Sequence, residues 1–101
     1  MSTTQQYGSI LLTHAVGLHA RPSVKLTKLA KGFTARVELA MADTGPWVDA
    51  KSIVKVMGTK APQGTVLYFR ADGADAAEAV QALTELVARD FDEGGEDAAS
   101  G

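Results

Sequence analysis

The 101-residue chain carries 10 Lys and Arg against 12 Asp and Glu, a net charge of −2, so no overall field marks a polyanionic partner and nucleic-acid binding is disfavoured. It has no cysteine, which removes disulfides, thiolate nucleophiles and the common structural zinc sites, and with them redox chemistry. A 46% hydrophobic fraction supplies one core and one domain, no apolar run nears the ~18 residues of a membrane span, and residues 1–6 lack a secretory pattern, so a cytoplasmic protein without membrane insertion is expected.

In chain order, Ser9 to Thr13 alternates weakly, with Ile10 and Leu12 opposite Ser9, Leu11 and Thr13, and predicts a strand. A loop follows through His14 to Leu18. From Ala20 the period changes: Leu26, Leu29, Ala30 and Phe33 form a helical stripe, with Lys25, Lys28 and Lys31 off it. Pro22 suits the first turn and Gly32 the stop. Thr34 to Met41 alternates strictly, placing Ala35, Val37, Leu39 and Met41 on one buried face. Asp43, Gly45 and Pro46 predict a turn and Trp47 to Asp49 a returning strand, together a hairpin.

Ser52 to Gly58 then reads as one or two turns of helix, with Ser52 as cap. Leu67, Phe69 and Ala71 alternate with Val66, Tyr68 and Arg70 in a last strand that ends at Asp72-Gly73. In the final helix Ala76, Ala79, Val80, Leu83, Leu86 and Val87 make one apolar stripe, opened by Asp75 and Glu78 at capping-box spacing. From Asp92 the chain is acidic, small and aperiodic, which predicts a disordered tail over 92–101 behind a domain of 1–91. The order βαββαβα with two longer helices packs most economically as an open-faced two-layer α+β sandwich, helices on one face of the sheet.

Chemistry concentrates at His19, which stands just before a helix start in Gly17-Leu18-His19-Ala20-Arg21-Pro22. A phosphoryl group on this imidazole faces backbone N–H groups and the positive end of the helix dipole, with Arg21 adding a charged donor. Histidine suits such work because imidazole in water is half neutral, and so nucleophilic, near pH 6.5. On these residues alone, a His19 that only caps the helix and an Arg21 that is only solvated stand as the competing reading. His14 and His19 lack a third ligand for a metal, and neither a nucleophile elbow nor a phosphate-cradling loop occurs. No metal or cofactor is expected, and a self-contained enzyme has no recognisable motif. Ser52, in Ala50-Lys51-Ser52-Ile53-Val54-Lys55-Val56-Met57, reads first as an N-cap, although a phosphate there is electrostatically tolerated. Ile53, Val54 and Met57 lie on a segment too short to bury them all, leaving core packing and an exposed contact patch both open.

The blocks Gly17-Leu18-His19-Ala20-Arg21-Pro22, Ala30-Lys31-Gly32-Phe33-Thr34, Ala50-Lys51-Ser52 and Gln63-Gly64-Thr65 stand in an order and spacing that resemble HPr, the histidine-containing phosphocarrier of the bacterial phosphoenolpyruvate-dependent phosphotransferase system. The resemblance runs from about Ser9 to Arg89. It implies an open-faced β-sandwich, a four-stranded antiparallel sheet with three helices on one face. It also implies a monomeric intermediate in phosphoryl transfer: His19 takes a phosphoryl group on Nδ1 from Enzyme I and gives it to a IIA-type domain. Arg21 and the backbone N–H groups of Ala20 and Arg21 would hold the phosphate, with Pro22 shaping the helix start. By the same resemblance Ser52 is the regulatory serine that an ATP-dependent HPr kinase phosphorylates in part of the family. Ile53, Val54 and Met57 fall at its apolar docking patch.

Three differences bear on which acceptor is served. The hairpin through Ala42-Asp43-Thr44-Gly45-Pro46-Trp47 is about two residues longer than usual, and its Gly-Pro-Trp resembles phosphotransferase proteins serving dihydroxyacetone kinases. Val16 replaces a usual polar or acidic residue, and Thr59-Lys60 a usual Leu-Gly. What the resemblance implies is an intermediate in sugar or dihydroxyacetone phosphotransfer, with the acceptor itself left open by these differences. The alternative is a regulatory protein that binds others according to phosphorylation of Ser52.

Overall fold

The computed structural model describes residues 5–15 and 17–92. Its elements are β1 (Gln5–Leu11), α1 (Ala20–Lys31), β2 (Arg36–Ala40), β3 (Val48–Asp49), α2 (Ile53–Gly58), β4 (Val66–Asp72) and α3 (Ala76–Ala88), closed by a 3-10 turn over Asp90–Asp92. The four strands form one antiparallel sheet in the order β1-β4-β2-β3. This is the expected open-faced α+β sandwich with three helices.

Period-two alternation explains the sheet's inner face. On β4, Leu67, Phe69 and Ala71 are buried while Val66 is exposed; Phe69 stands between Gly8 of β1 and Leu39 of β2. Every residue of the apolar stripe on α3, from Ala76 to Val87, is buried against this face. Gly8 permits the close approach, since a Cβ there would lie 2.5 Å from Cγ1 of Val80. On α1, Leu26 and Ala30 are fully buried and Leu29 packs partly against the core; Phe33, expected on the same helical stripe, does so from just beyond the helix, which ends at Lys31.

Several expectations are corrected. The first strand begins at Gln5 and ends at Leu11, and Leu12 enters the core just beyond it, its N–H donating to the Thr65 carbonyl at 2.8 Å. Met41, expected on the buried face, is 44% exposed, because β2 stops at Ala40 and Met41 begins the turn. Asp75 caps α3 by position only. Its carboxylate accepts instead from Thr34 N–H at 2.9 Å, Ala35 N–H at 2.8 Å and Thr34 Oγ1 at 3.2 Å, joining the α1–β2 loop to the start of α3. The capping box with Glu78 is not made.

After α3 the backbone turns through Asp90, Phe91 and Asp92 at φ 53°, 57° and 61°, inserting Phe91 fully into the core. Asp92, expected in the tail, belongs to this turn and pairs with Arg89 at 2.8 Å. Val16 and the rest of the expected tail, 93–101, lie outside the described residues. The turn also secures the loop that leads to His19. Phe91 meets the His14 ring edge-on at 5.7 Å between centroids, its carbonyl accepts from Lys25 Nζ at 2.9 Å, and the Asp90 carboxylate accepts from the Thr13 hydroxyl. Among the described residues no helix is long and apolar enough to cross a membrane.

Candidate functional site

His19 is the N-cap of α1, with extended backbone at φ −92°, ψ −171°, and it is exposed. Its placement follows from the two residues before it. Gly17 takes φ +71°, and a Cβ there would lie 2.3 Å from the Ala61 carbonyl oxygen, so glycine is required on both grounds. Leu18 is buried, and its N–H donates to the Ala61 carbonyl at 2.8 Å. The loop is thereby pinned to the segment after α2, and the following residue is turned outward.

The first turn of this helix leaves backbone N–H groups without an acceptor inside the helix. The His19 carbonyl accepts from Ser23 N–H at 3.0 Å, Pro22 has no N–H, and the His19 side chain makes no capping hydrogen bond. The backbone donors aimed out of this end are those of Ala20 and Arg21. Pro22 is buried as the third helical residue, where it interrupts no intrahelical bond. The exposed Arg21 side chain shares this first turn. His19, Ala20, Arg21 and Pro22 are thus brought together.

The overall charge of −2 conceals segregation. α1 carries Arg21, Lys25, Lys28 and Lys31 with no acid, and the adjoining α2 carries Lys55 with none, whereas the charges of α3 are Glu78 and Glu85. The helix that begins at His19 is therefore locally basic, a feature net charge could not reveal.

A groove of about 430 Å³ runs beside His19 between Leu18, Ala20, Met57, Lys60, Ala61 and Pro62. Met57 is 39% exposed in it. Val54, 76% exposed, lines another hollow of about 380 Å³ with Met41 and Thr59, whereas Ile53 is half-buried and lines neither. Core packing on α2 is provided by Val56, which leaves Val54 and Met57 outward. Ser52 caps α2, its Oγ accepting from Lys55 N–H at 3.3 Å.

Sequence reasoning missed the left-handed conformation of Lys60 and the anchoring role of Leu18. The sole signal for the latter was the Gly-Leu pair before His19. Among the described residues no group of three His, Asp or Glu side chains converges as a metal site.

Residues 8–89 match the family model described as the PTS HPr component phosphorylation site. The chain is 45% identical over 83 residues to the phosphocarrier protein HPr of Cupriavidus necator, covering 82% of this chain and 91% of that protein. It is 33% identical to part of the multiphosphoryl transfer protein of Haemophilus influenzae, covering 85% of this chain and 17% of that protein. Among solved structures, HPr-C-His from Thermoanaerobacter tengcongensis superposes with a TM-score of 0.80 at 33% identity, covering 87% of this chain and 97% of that one. An exposed histidine at an open helix end, in this fold and with these relatives, has one family reading: the chain belongs to the HPr phosphocarriers of the phosphoenolpyruvate-dependent phosphotransferase system.

Proposed function

We infer that this chain accepts a phosphoryl group on His19 from phosphorylated Enzyme I and passes it to a IIA-type domain in sugar or dihydroxyacetone phosphotransfer. The observation that carries this reading is an exposed His19 that makes no cap of its own at a helix end presenting the Ala20 and Arg21 N–H groups. On loading, an imidazole nitrogen lone pair on His19 forms the new N–P bond while the N–P bond of phosphorylated Enzyme I breaks and its electron pair returns to that imidazole. On delivery the acceptor's nucleophile forms the new bond to phosphorus while the His19 N–P bond breaks and its electron pair returns to His19. The three phosphoryl oxygens take hydrogen bonds from Ala20 N–H, Arg21 N–H and the guanidinium, each charge-assisted bond contributing about 1.5–3 kcal/mol. That holds the dianion without trapping it. No cofactor enters the exchange, and the protein serves as a transfer intermediate.

Ile53, Val54 and Met57 form the docking surface in this reading, with the cations of α1 and α2 steering an acidic partner. The carrier works as a cytoplasmic monomer, its phosphocarrier domain reaching the turn at Asp90–Asp92. A second reading, regulation through Ser52 by an HPr kinase, is favoured by the position of Ser52 one residue before that patch. The test is intact-mass and peptide mass spectrometry after incubation with phosphoenolpyruvate and Enzyme I. One acid-labile phosphoryl group on His19 is expected, and labelling elsewhere with His19 unmodified overturns the reading.

A further inference from the structure

Lys60 is the one cationic residue lining the groove beside His19, among apolar lining from Leu18, Met57 and Pro62. Lys60 adopts φ +52°, a conformation that glycine enters freely and a lysine does not. Its backbone is tightly located: Lys60 N–H donates to Met57 at 3.1 Å, and the next carbonyl, that of Ala61, accepts from Leu18, the residue before His19. The α-carbon of Lys60 is thus fixed relative to His19. Its side chain is exposed, with no hydrogen bond or ion pair among the described residues.

Resting on the phosphocarrier reading, we propose that Lys60 is a second phosphate-binding cation, its ammonium contacting the phosphoryl group on His19 from across the groove. Arg21 approaches from the helix end, and Lys60 from the facing loop. A compact ammonium on a flexible stem suits this role because it neutralises the group without the bidentate geometry that would immobilise it. The apolar lining strengthens the attraction by excluding part of the water between the charges.

The test uses the full chain phosphorylated with potassium phosphoramidate, which transfers its phosphoryl group to imidazole nitrogen with release of ammonia and needs no partner protein. The ³¹P signal of His19, assigned by its loss in His19→Ala, is followed through a pH titration in wild type, Lys60→Gln, Lys60→Gly and Lys60→Arg. Removing the cation should make the last phosphoryl proton, which ordinarily leaves near pH 6, about two- to fivefold harder to lose, the range an exposed ion pair supports. Lys60→Arg should retain the wild-type titration. Lys60→Gly relieves the backbone, so a shifted titration in a variant at least as stable as wild type separates charge from folding. Identical titrations in wild type, Lys60→Gln and Lys60→Gly overturn the proposal. Because Enzyme I is absent, that outcome leaves the phosphocarrier reading standing, whereas its own failure would show as unlabelled His19 in the phosphoenolpyruvate assay.

Discussion

Two helix starts in this molecule are built from similar local rules and end in opposite states. At α2 the cap residue Ser52 turns its hydroxyl back on its own helix and accepts from Lys55 N–H. At α1 the exposed side chain of the cap residue His19 makes no such bond, and Pro22 removes one donor. The first arrangement spends its side-chain acceptor on stability, whereas the second leaves backbone donors and an imidazole directed at whatever arrives. A helix end becomes functional when its cap residue forgoes the local hydrogen bond.

The sharpest way to break this comparison is to remove both caps separately. His19→Ala should abolish labelling by phosphoenolpyruvate and Enzyme I with stability changed by less than about 0.5 kcal/mol, as for surface substitutions. Ser52→Ala should keep labelling and cost roughly 1 kcal/mol in urea unfolding, the usual loss for a serine cap. A stability loss at His19 as large as at Ser52 would contradict the contrast.

Next in size is Arg21→Ala, which deletes a charge-assisted donor from an exposed first turn. Rapid-quench transfer rates should fall by about 10- to 100-fold, corresponding to roughly 1.5–3 kcal/mol, with the unfolding midpoint nearly unchanged. Normal transfer with a lowered midpoint would reverse the assigned role.

Ser52→Asp sharpens the comparison from the other side. An anion suits a helix start, so folding should persist, yet it stands beside Ile53 and near the exposed Val54 and Met57, where an acidic partner would dock. Phosphorylation of His19 should slow several-fold, chiefly through weaker capture of Enzyme I, on the scale of like-charge penalties across an interface. Unaltered rates across Enzyme I concentrations would remove Ser52 from the partner surface.

The smallest effect belongs to the third helix start. Asp75 is held below its ordinary value of 3.8, first by the Thr34 N–H and then by Ala35 N–H and the Thr34 hydroxyl, against an opposing contribution from desolvation. Because its folded value is depressed, the stabilisation is complete above the ordinary carboxylate range and is lost as pH falls through the folded value. Asp75→Asn should lower the melting temperature slightly at neutral pH and lessen the stability difference between pH 7 and pH 3. Unchanged acid dependence would show that the contact with the α1–β2 loop contributes nothing measurable.

Much of this was legible locally. The α3 stripe was read residue for residue, because a 3.6-residue period facing a sheet leaves few alternatives, and the site block announced itself as a histidine ahead of a proline-bearing helix start. Misreadings arose where a contact spans the chain. Asp75 carries a good capping pattern, yet a loop 40 residues earlier offers its carboxylate two backbone N–H groups, and local spacing cannot weigh that competition. Met41 continues an alternation that the sheet does not continue.

The amino-acid sequence by itself determined the order of elements, the face each would bury and the identity of the phosphoryl-acceptor candidate, since periodicity and cap chemistry act within a few residues. Tertiary structure alone decided that Phe91 would close the core through a left-handed turn and that Ala61 would pin Leu18. It also decided that Lys60 and His19 would line one groove. Those relations depend on segments some 40 or more residues apart being brought together by burial of the shared core, a non-local energy that no window of sequence contains.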